Sequence, residues 1–350
     1  MKDANPKLRI PFVGPPVTIE PEVALRSSAV VRRECDRQVV EYASGESLNE
    51  VAGVSFRNEG TIVHNPQGQA IENLDKAPVR DLDVARYNVP FLRYPYISLY
   101  ACRSCPAMCT FCLWPQTHSG HRWRLRSADT LGAFPDVKDI FFDDDTFNYQ
   151  KSPDDAALRE GQTAELHLVR VTTDYETLRA MKEAGCRLFI VGYESGDPQI
   201  LKNVKKGATI DMALRFTNDH KRLGLAIHGD FIIGLPGETP DTIQRTIDFV
   251  KRLDTETIEV STAHALPGTI TYPTLGQAEL VEAVERFYAE YYFRPRVVWR
   301  VVRKAVFNSV DRRELFLFQG FFSSQEHFRE SFVGSTREIK QSRGFPALYS

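Results

Sequence analysis

Long apolar runs, an excess of charge of one sign and a rich supply of cysteine are all missing from this chain of 350 residues. Its longest apolar stretches, such as Leu188 to Val191 and Phe231 to Leu235, fall far short of the roughly 20 residues a membrane-spanning helix needs. Lys and Arg number 44 against 46 Asp and Glu, so there is no global basic field to favour nucleic acid as a partner. Six cysteines and the lack of a secretory signal argue against a disulfide framework and make a reducing cytoplasm the expected location. What is present, 42% hydrophobic residues, suffices for one large domain and a smaller appendage.

Half of those cysteines stand together. Cys105, Cys109 and Cys112 have C-x3-C-x2-C spacing, which suits three corners of one iron–sulfur cube and leaves the fourth iron without a protein ligand. Such an iron is open to an exogenous group, and Phe111 beside the last cysteine adds a stacking surface. A zinc site completed by His118, His121 or Cys102 is the competing reading. Zinc ligand pairs are usually separated by about a dozen residues or more, whereas these are nearly contiguous, which favours the cluster.

From Tyr94 onward, short apolar runs alternate with helical periodicity, as in repeated β/α units around a parallel sheet. Strands are expected at Tyr96 to Ala101, Asp139 to Phe142, Glu165 to Val171, Arg187 to Gly192, Leu225 to Gly234 and Thr257 to Thr262. Between the third and fourth, Thr173 and Glu176 suggest a capping box, Tyr175, Leu178 and Met181 one apolar face, and Gly185 a stop. Thr239-Pro240 likewise opens a helix carrying Ile243, Ile247 and Val250 on one side. Six units predict an α/β fold, a partial (β/α)6 barrel resembling a TIM barrel open on one side.

Parallel β/α folds gather chemistry at the C-terminal ends of their strands. The cysteine loop, Asp143-Asp144-Asp145, Glu194-Ser195-Gly196 and Gly234-Leu235-Pro236-Gly237-Glu238 follow the first, second, fourth and fifth strands, so all four are expected at one mouth. Three adjacent carboxylates need a cation or donors, and an ammonium group would serve. Glu194 would accept hydrogen bonds from a ribose or an amine, and Gly234 and Gly237 would let backbone approach a ligand. His121, Arg122, His228 and His264 are further candidates for holding hydroxyl or amino groups.

The pattern C-x3-C-x-Φ-C resembles the signature of the radical S-adenosylmethionine (SAM) superfamily. The runs CPAMCTFCLWPQ at Cys105 to Gln116, FFDDDTF at Phe141 to Phe147, VGYESG at Val191 to Gly196, KKGATI at Lys205 to Ile210 and HGDFIIGLPGET at His228 to Thr239 extend the likeness. They resemble the hopanoid-biosynthesis radical SAM proteins of the HpnJ type. That resemblance implies a [4Fe–4S] cluster held by Cys105, Cys109 and Cys112, and SAM held near Phe111, Asp143, Asp144, Asp145, Glu194, Ser195, Gly234 and Gly237. It also implies a 5′-deoxyadenosyl radical, an electron donor such as flavodoxin or ferredoxin, and cyclitol-ether formation on a lipid-linked hopanoid sugar. A radical SAM methyltransferase, another small-molecule radical SAM enzyme, or a non-catalytic cluster- or zinc-binding relative are the alternatives.

Three divisions are expected: residues 1–90 as a partial cobalamin-binding-like segment and linker, 91–270 as the barrel, and 271–350 as a helical region and tail. Residues 1–80 resemble only the last part of a cobalamin domain, through VGPPVTIEPE and VAGVSFRNEGTIVHNP, and the chain carries no D-x-H-x-x-G run, so cobalamin binding is doubtful here. The helix expected at Ala128 to Phe134 and the region Ala164 to Arg170 are short for the family. Leu280, Val284, Phe287, Tyr288 and Tyr291 would close the open side of the barrel. Beyond Pro295, arginines interleaved with valines and Trp299 suit either a helix on the barrel or peripheral contact with the inner face of a membrane. Past Phe316 a loosely ordered tail is expected.

Overall fold

A computed structural model of the chain describes residues 10–25, 29–76, 83–86, 92–118, 120–127, 134, 136–147, 162–166, 169–263 and 275–307. His264, the tail past Phe316 and the helix expected from Ala128, apart from Phe134, lie outside them. Two compact units form, residues 1–87 with 94–291 and residues 88–93 with 292–350.

The first unit begins with a small mixed sheet of β1 (Pro11–Phe12), β2 (Ala29–Val31), β3 (Val54–Asn58) and β4 (Thr61–His64), in that order. Strands β1 and β2 run parallel, while the other pairs are antiparallel. Short helices α1 (Pro15–Ile19), α2 (Pro21–Ala24) and α3 (Asp36–Ala43) accompany it. Tyr42 of α3 joins Val31, Val51, Val54 and Phe56 in its buried core.

The large sheet is parallel and six-stranded, in the order β12-β11-β10-β9-β8-β5. Its strands are β5 (Tyr96–Leu99), β8 (Asp139–Phe142), β9 (Thr163–Leu166), β10 (Cys186–Glu194), β11 (Ala226–Ile233) and β12 (Thr257–Thr262), with the ribbon β6 (Cys102–Arg103) and β7 (Arg124–Leu125) and the turn of helix α4 (Trp114–Thr117) between β5 and β8. Helices α5 (Tyr175–Glu183), α6 (Pro198–Asn203), α7 (Ile210–Leu223), α8 (Pro240–Leu253) and α9 (Gln277–Tyr292) complete the unit. This is the α/β partial barrel that the alternation of apolar runs predicts. Two local expectations shift. The third strand enters earlier, at Thr163, where its N–H donates to Lys138 O, and Val169 continues toward β10 through an N–H to Ile190 O at 3.0 Å. Helix α5 is capped by Asp174, whose Oδ1 takes Thr177 N–H at 2.9 Å, rather than by Thr173. With the cap one residue later, the orphan donor it satisfies is the Thr177 N–H, three positions on.

Helix α8 starts as expected, with Thr239 and Thr242 forming a reciprocal cap and Ile243, Ile247 and Val250 buried. Its first turns press on the loop after β10. A Cβ at Gly196 would lie 2.5 Å from Phe249 Cβ and 2.7 Å from Thr246 Cα, so glycine is required for that approach. Helix α9 covers edge strand β12. Tyr288 Oη accepts the Val260 N–H at 2.8 Å, Tyr291 Oη donates to Thr255 O, and Phe287 lies 5.6 Å from Phe231, ring to ring. An open sheet edge is thereby protected from pairing with another chain.

In the second unit, α10 (Pro295–Phe307) forms the expected basic amphipathic helix, with Val298, Trp299 and Val302 exposed. Among the described residues no helix is long and apolar enough to cross a membrane.

Candidate functional site

The C-terminal ends of the strands open into a cavity of about 650 Å³ within the first unit. Its wall includes Cys105, Cys109, Cys112, Phe111, all three aspartates and Glu194. The loops of the first, second and fourth strands therefore meet at one mouth, as their strand-end positions predict.

Each cysteine-loop contact has a local cause. Asp144 is fully buried and its Oδ1 accepts the Cys102 N–H at 2.7 Å, while Asp145 Oδ2 accepts the Ser104 N–H at 3.1 Å. Two of the three carboxylates thus find donors in the backbone of the cysteine loop's approach. Burial pushes Asp144 up to about 7. Ser104 has φ 77°, a left-handed turn that swings the chain from β6 into the cysteine loop. Thr146 Oγ1 lies 2.8 Å from Cys105 Sγ. Thr110 donates its N–H to Val204 O at 3.0 Å, and Phe111 packs on Ile200, Val204 and Leu235, so the loop is fixed to the end of α6 between its second and third cysteines.

Glu194 is aimed by backbone irregularity. The pairing of β10 with β11 shifts register between Gly192 and Glu194, and Glu194 has φ 63°. Bulges and positive φ at a non-glycine residue cost energy and concentrate at functional sites. Lys206 Nζ donates to Glu194 Oε1 at 2.6 Å. A Cβ at Gly192 would stand 2.5 Å from that oxygen, so glycine leaves room for the pair where it lies. Lys206 is absent from the candidates named above, although it sits in the KKGATI run. Its pairing partner is what marks it, and that pairing is tertiary. Tyr100, Arg170 and Gly192 also reach the wall.

Other expected site residues lie away from the cavity wall. Ser195 is buried and turns to α8, its Oγ 3.1 Å from Thr246 Oγ1, because the glycine after it brings that helix against the loop. Gly234 has φ 85° and faces Leu280 and Ala263, and Gly237 has φ 86° and faces Asn203 and Ile200. These glycines serve a turn whose N–H groups at Gly234 and Leu235 point at Glu238 Oε2. Arg122 pairs with exposed Glu72 at 2.7 Å. His121 borders a separate depression with Arg32 and Arg33.

Glu238 gives a pH test. Burial pushes its carboxyl up to about 7 from an ordinary 4.5, despite the two N–H groups that oppose the shift. The folded chain therefore holds this proton more tightly than the unfolded chain, and the associated stability is full below pH 4.5 and is lost as pH rises to about 7. The melting temperature is expected to fall less between about pH 5 and 7.5 in Glu238→Gln than in the parent, Asp144 adding to the fall and His220, which burial lowers to about 4, opposing it. An unchanged slope in the variant would show that Glu238 ionises normally.

The three cysteines are suited to a cluster. All are free thiols that line the same cavity. Burial pushes Cys112 up to about 11 and raises Cys109, so stable thiolates there need a metal, which deprotonates its thiol ligands outright. Their sulfurs are not gathered as a tetrahedral zinc would require: with Zn–S near 2.3 Å, ligands stand about 3.8 Å apart. Among the described residues the one group of three or more such donors within 4.8 Å of one another is His228, Asp230 and Glu259. Cys102 is withdrawn from any such set, since it is buried and its Sγ donates to Thr146 O at 3.2 Å. His118 stacks on Trp114 with ring centres 4.9 Å apart.

The family model described as the radical SAM superfamily matches residues 99–250. An uncharacterized methyltransferase of Pyrococcus horikoshii is 32% identical over 297 residues, 77% of this chain and 63% of that protein. The bacteriochlorophyllide d C-12(1)-methyltransferase of Chlorobaculum tepidum is 28% identical over 193 residues, 49% of this chain and 41% of its own. Thus the chain spans less than two thirds of the length of these curated relatives. Among solved structures, the radical SAM methyltransferase TsrM of Kitasatospora setae, with cobalamin and a [4Fe–4S] cluster bound, superposes with TM-score 0.59 at 16% identity, over 75% of this chain and 56% of that one. The cobalamin-dependent radical enzyme OxsB superposes with TM-score 0.58 at 20% identity, over 80% of this chain and 42% of that one. At these identities the structural likeness concerns the fold. The superfamily is one of enzymes that use a [4Fe–4S] cluster and SAM. Over residues 99–250 the chain matches the radical SAM superfamily.

Proposed function

We propose that the chain is a radical SAM enzyme acting on a small molecule, with methyl transfer as the reaction class its relatives favour. The observation that carries this reading is the convergence of Cys105, Cys109 and Cys112 on one cavity with the Glu194–Lys206 pair. In it, Cys105, Cys109 and Cys112 would hold the cluster, with SAM bound beside it in the cavity. When bound, the cluster supplies the electron that cleaves a carbon–sulfur bond of SAM. Asp143, within 3.4 Å of Tyr100 Oη, offers a carboxylate to an amine, and Glu194, held by Lys206, offers oxygen to a hydroxyl. Phe111, Val169 and Val171 keep that wall apolar and limit the water that would quench a reactive intermediate. Orientation and exclusion are the protein's share, since the cofactor carries the hard chemistry.

Methyl transfer is preferred to hopanoid sugar modification because two relatives are named methyltransferases, whereas none of the relatives reported above is named for a hopanoid. The hopanoid reading rests on the motif resemblance of the cysteine loop and the strand ends. No D-x-H-x-x-G run assigns a cobalamin ligand within this chain.

The test is anaerobic loading with iron and sulfide, reduction with dithionite, and addition of SAM, with 5′-deoxyadenosine and S-adenosylhomocysteine read by chromatography. Cluster-dependent 5′-deoxyadenosine is expected. A chain that binds about four irons yet leaves SAM intact would instead be a non-catalytic relative.

A further inference from the structure

Strands β11 and β12 bring a second donor set to the cavity, apart from the cysteine loop. Along β11, His228, Asp230 and Ile232 share one face, and along β12, Thr257, Glu259 and Ser261 share another. The parallel register sets His228 beside Thr257, Asp230 beside Glu259 and Ile232 beside Ser261. Asp230, Ile232, Glu259 and Ser261 all line the cavity. Barrel interiors are commonly filled by branched apolar side chains, so a polar ladder facing the cavity departs from that pattern.

His228 Nε2 lies 3.3 Å from Asp230 Oδ1 and 3.9 Å from Glu259 Oε2. Three donors on one ion at about 2.1 Å stand about 3.0 Å apart at right angles and about 4.2 Å apart when opposed, so this spacing already suits a single centre. A second contact supports it independently. His228 Nδ1 lies 2.7 Å from Thr257 Oγ1, which orients the ring and directs Nε2 at the carboxylates. Histidine ligands of metals are held through their other nitrogen in just this manner.

We propose that His228, Asp230 and Glu259 form a divalent-cation site on the cavity wall, for Zn²⁺, Mn²⁺ or Fe²⁺, with its remaining positions open to an oxygen donor of the substrate. One imidazole and two carboxylates match these ions better than soft metals. The site stands whether or not the chain cleaves SAM, because its ligands come from other strands than the cluster's.

The experiment uses the full chain with its cluster loaded, passed over a chelating resin and titrated with Mn²⁺ while the free-ion EPR signal is followed. Saturation at one Mn²⁺ per chain is expected, with Zn²⁺ displacing it. His228→Ala and Glu259→Gln should each weaken binding at least about tenfold, and Thr257→Val about tenfold by releasing the ring. The Cys105/Cys109/Cys112→Ala variant should bind Mn²⁺ as the parent does. Circular dichroism would establish that each variant is folded. No saturable binding up to millimolar Mn²⁺ or Zn²⁺, or binding undiminished in a folded His228→Ala/Glu259→Gln chain, would overturn the proposal.

Discussion

Alanine at Cys105, Cys109 and Cys112 together is expected to lower bound iron from about four per chain to less than one, with loss of the brown cluster absorbance and of 5′-deoxyadenosine formation. A cube held by three thiolates has no spare protein ligand, so even single substitutions should leave little cluster. The informative contrast is Cys102, which stands only three positions before Cys105. Its thiol is buried and bonded to Thr146 O, and burial raises it far above the usual thiol range. Cys102→Ala should therefore keep the iron. Full iron loading in the triple variant, measured by metal analysis, would sink the assignment of the cluster to this loop.

The next largest effect is expected from Glu34. Its Oε2 pairs with Arg124 Nη2 at 2.8 Å and its Oε1 with Arg103 Nη1 at 2.8 Å, and the Glu34 and Arg124 side chains are 4% and 5% exposed. Arg103 adds a bidentate contact with Asp36. The network ties the small sheet to the strand that enters the cysteine loop. Removing one partner of a buried pair leaves the other charge uncompensated, which costs about 3–5 kcal/mol. Glu34→Ala should lower the melting temperature by roughly 4–7 °C. Replacing both Glu34 and Arg124 with methionine should recover much of that loss, because no buried charge of the pair then remains. A Glu34→Ala chain that melts with the parent would mean the network is solvated and contributes little.

Much of this was open to a reader of the sequence. The cysteine spacing is local, and C-x3-C-x2-C keeps its meaning wherever the loop lies. The parallel sheet was legible because its strands read as continuous apolar runs, as in Leu188 to Val191 and Phe231 to Ile233. Helix α8 was legible from Thr239-Pro240 and its apolar spacing. What misled was orientation. Ser195 adjoins Glu194, and the pair looked like one functional element. A bulge with φ 63° at Glu194 turns its carboxylate to the cavity, while Ser195 Oγ bonds Thr246. Strand position predicts which loop a residue joins, and irregular backbone decides where its side chain goes.

By itself, then, the sequence determined the order of β/α units, the mouth at which they end and the cysteine loop there, since these depend on period and spacing over a few residues. The tertiary structure alone decided that Lys206 neutralises Glu194, that Glu34 reaches Arg124 across 90 positions, and that His228 meets Asp230 and Glu259. Such contacts are set by strand register and by helices packing at close range, and no local pattern encodes the distance between residues that only the completed sheet brings together.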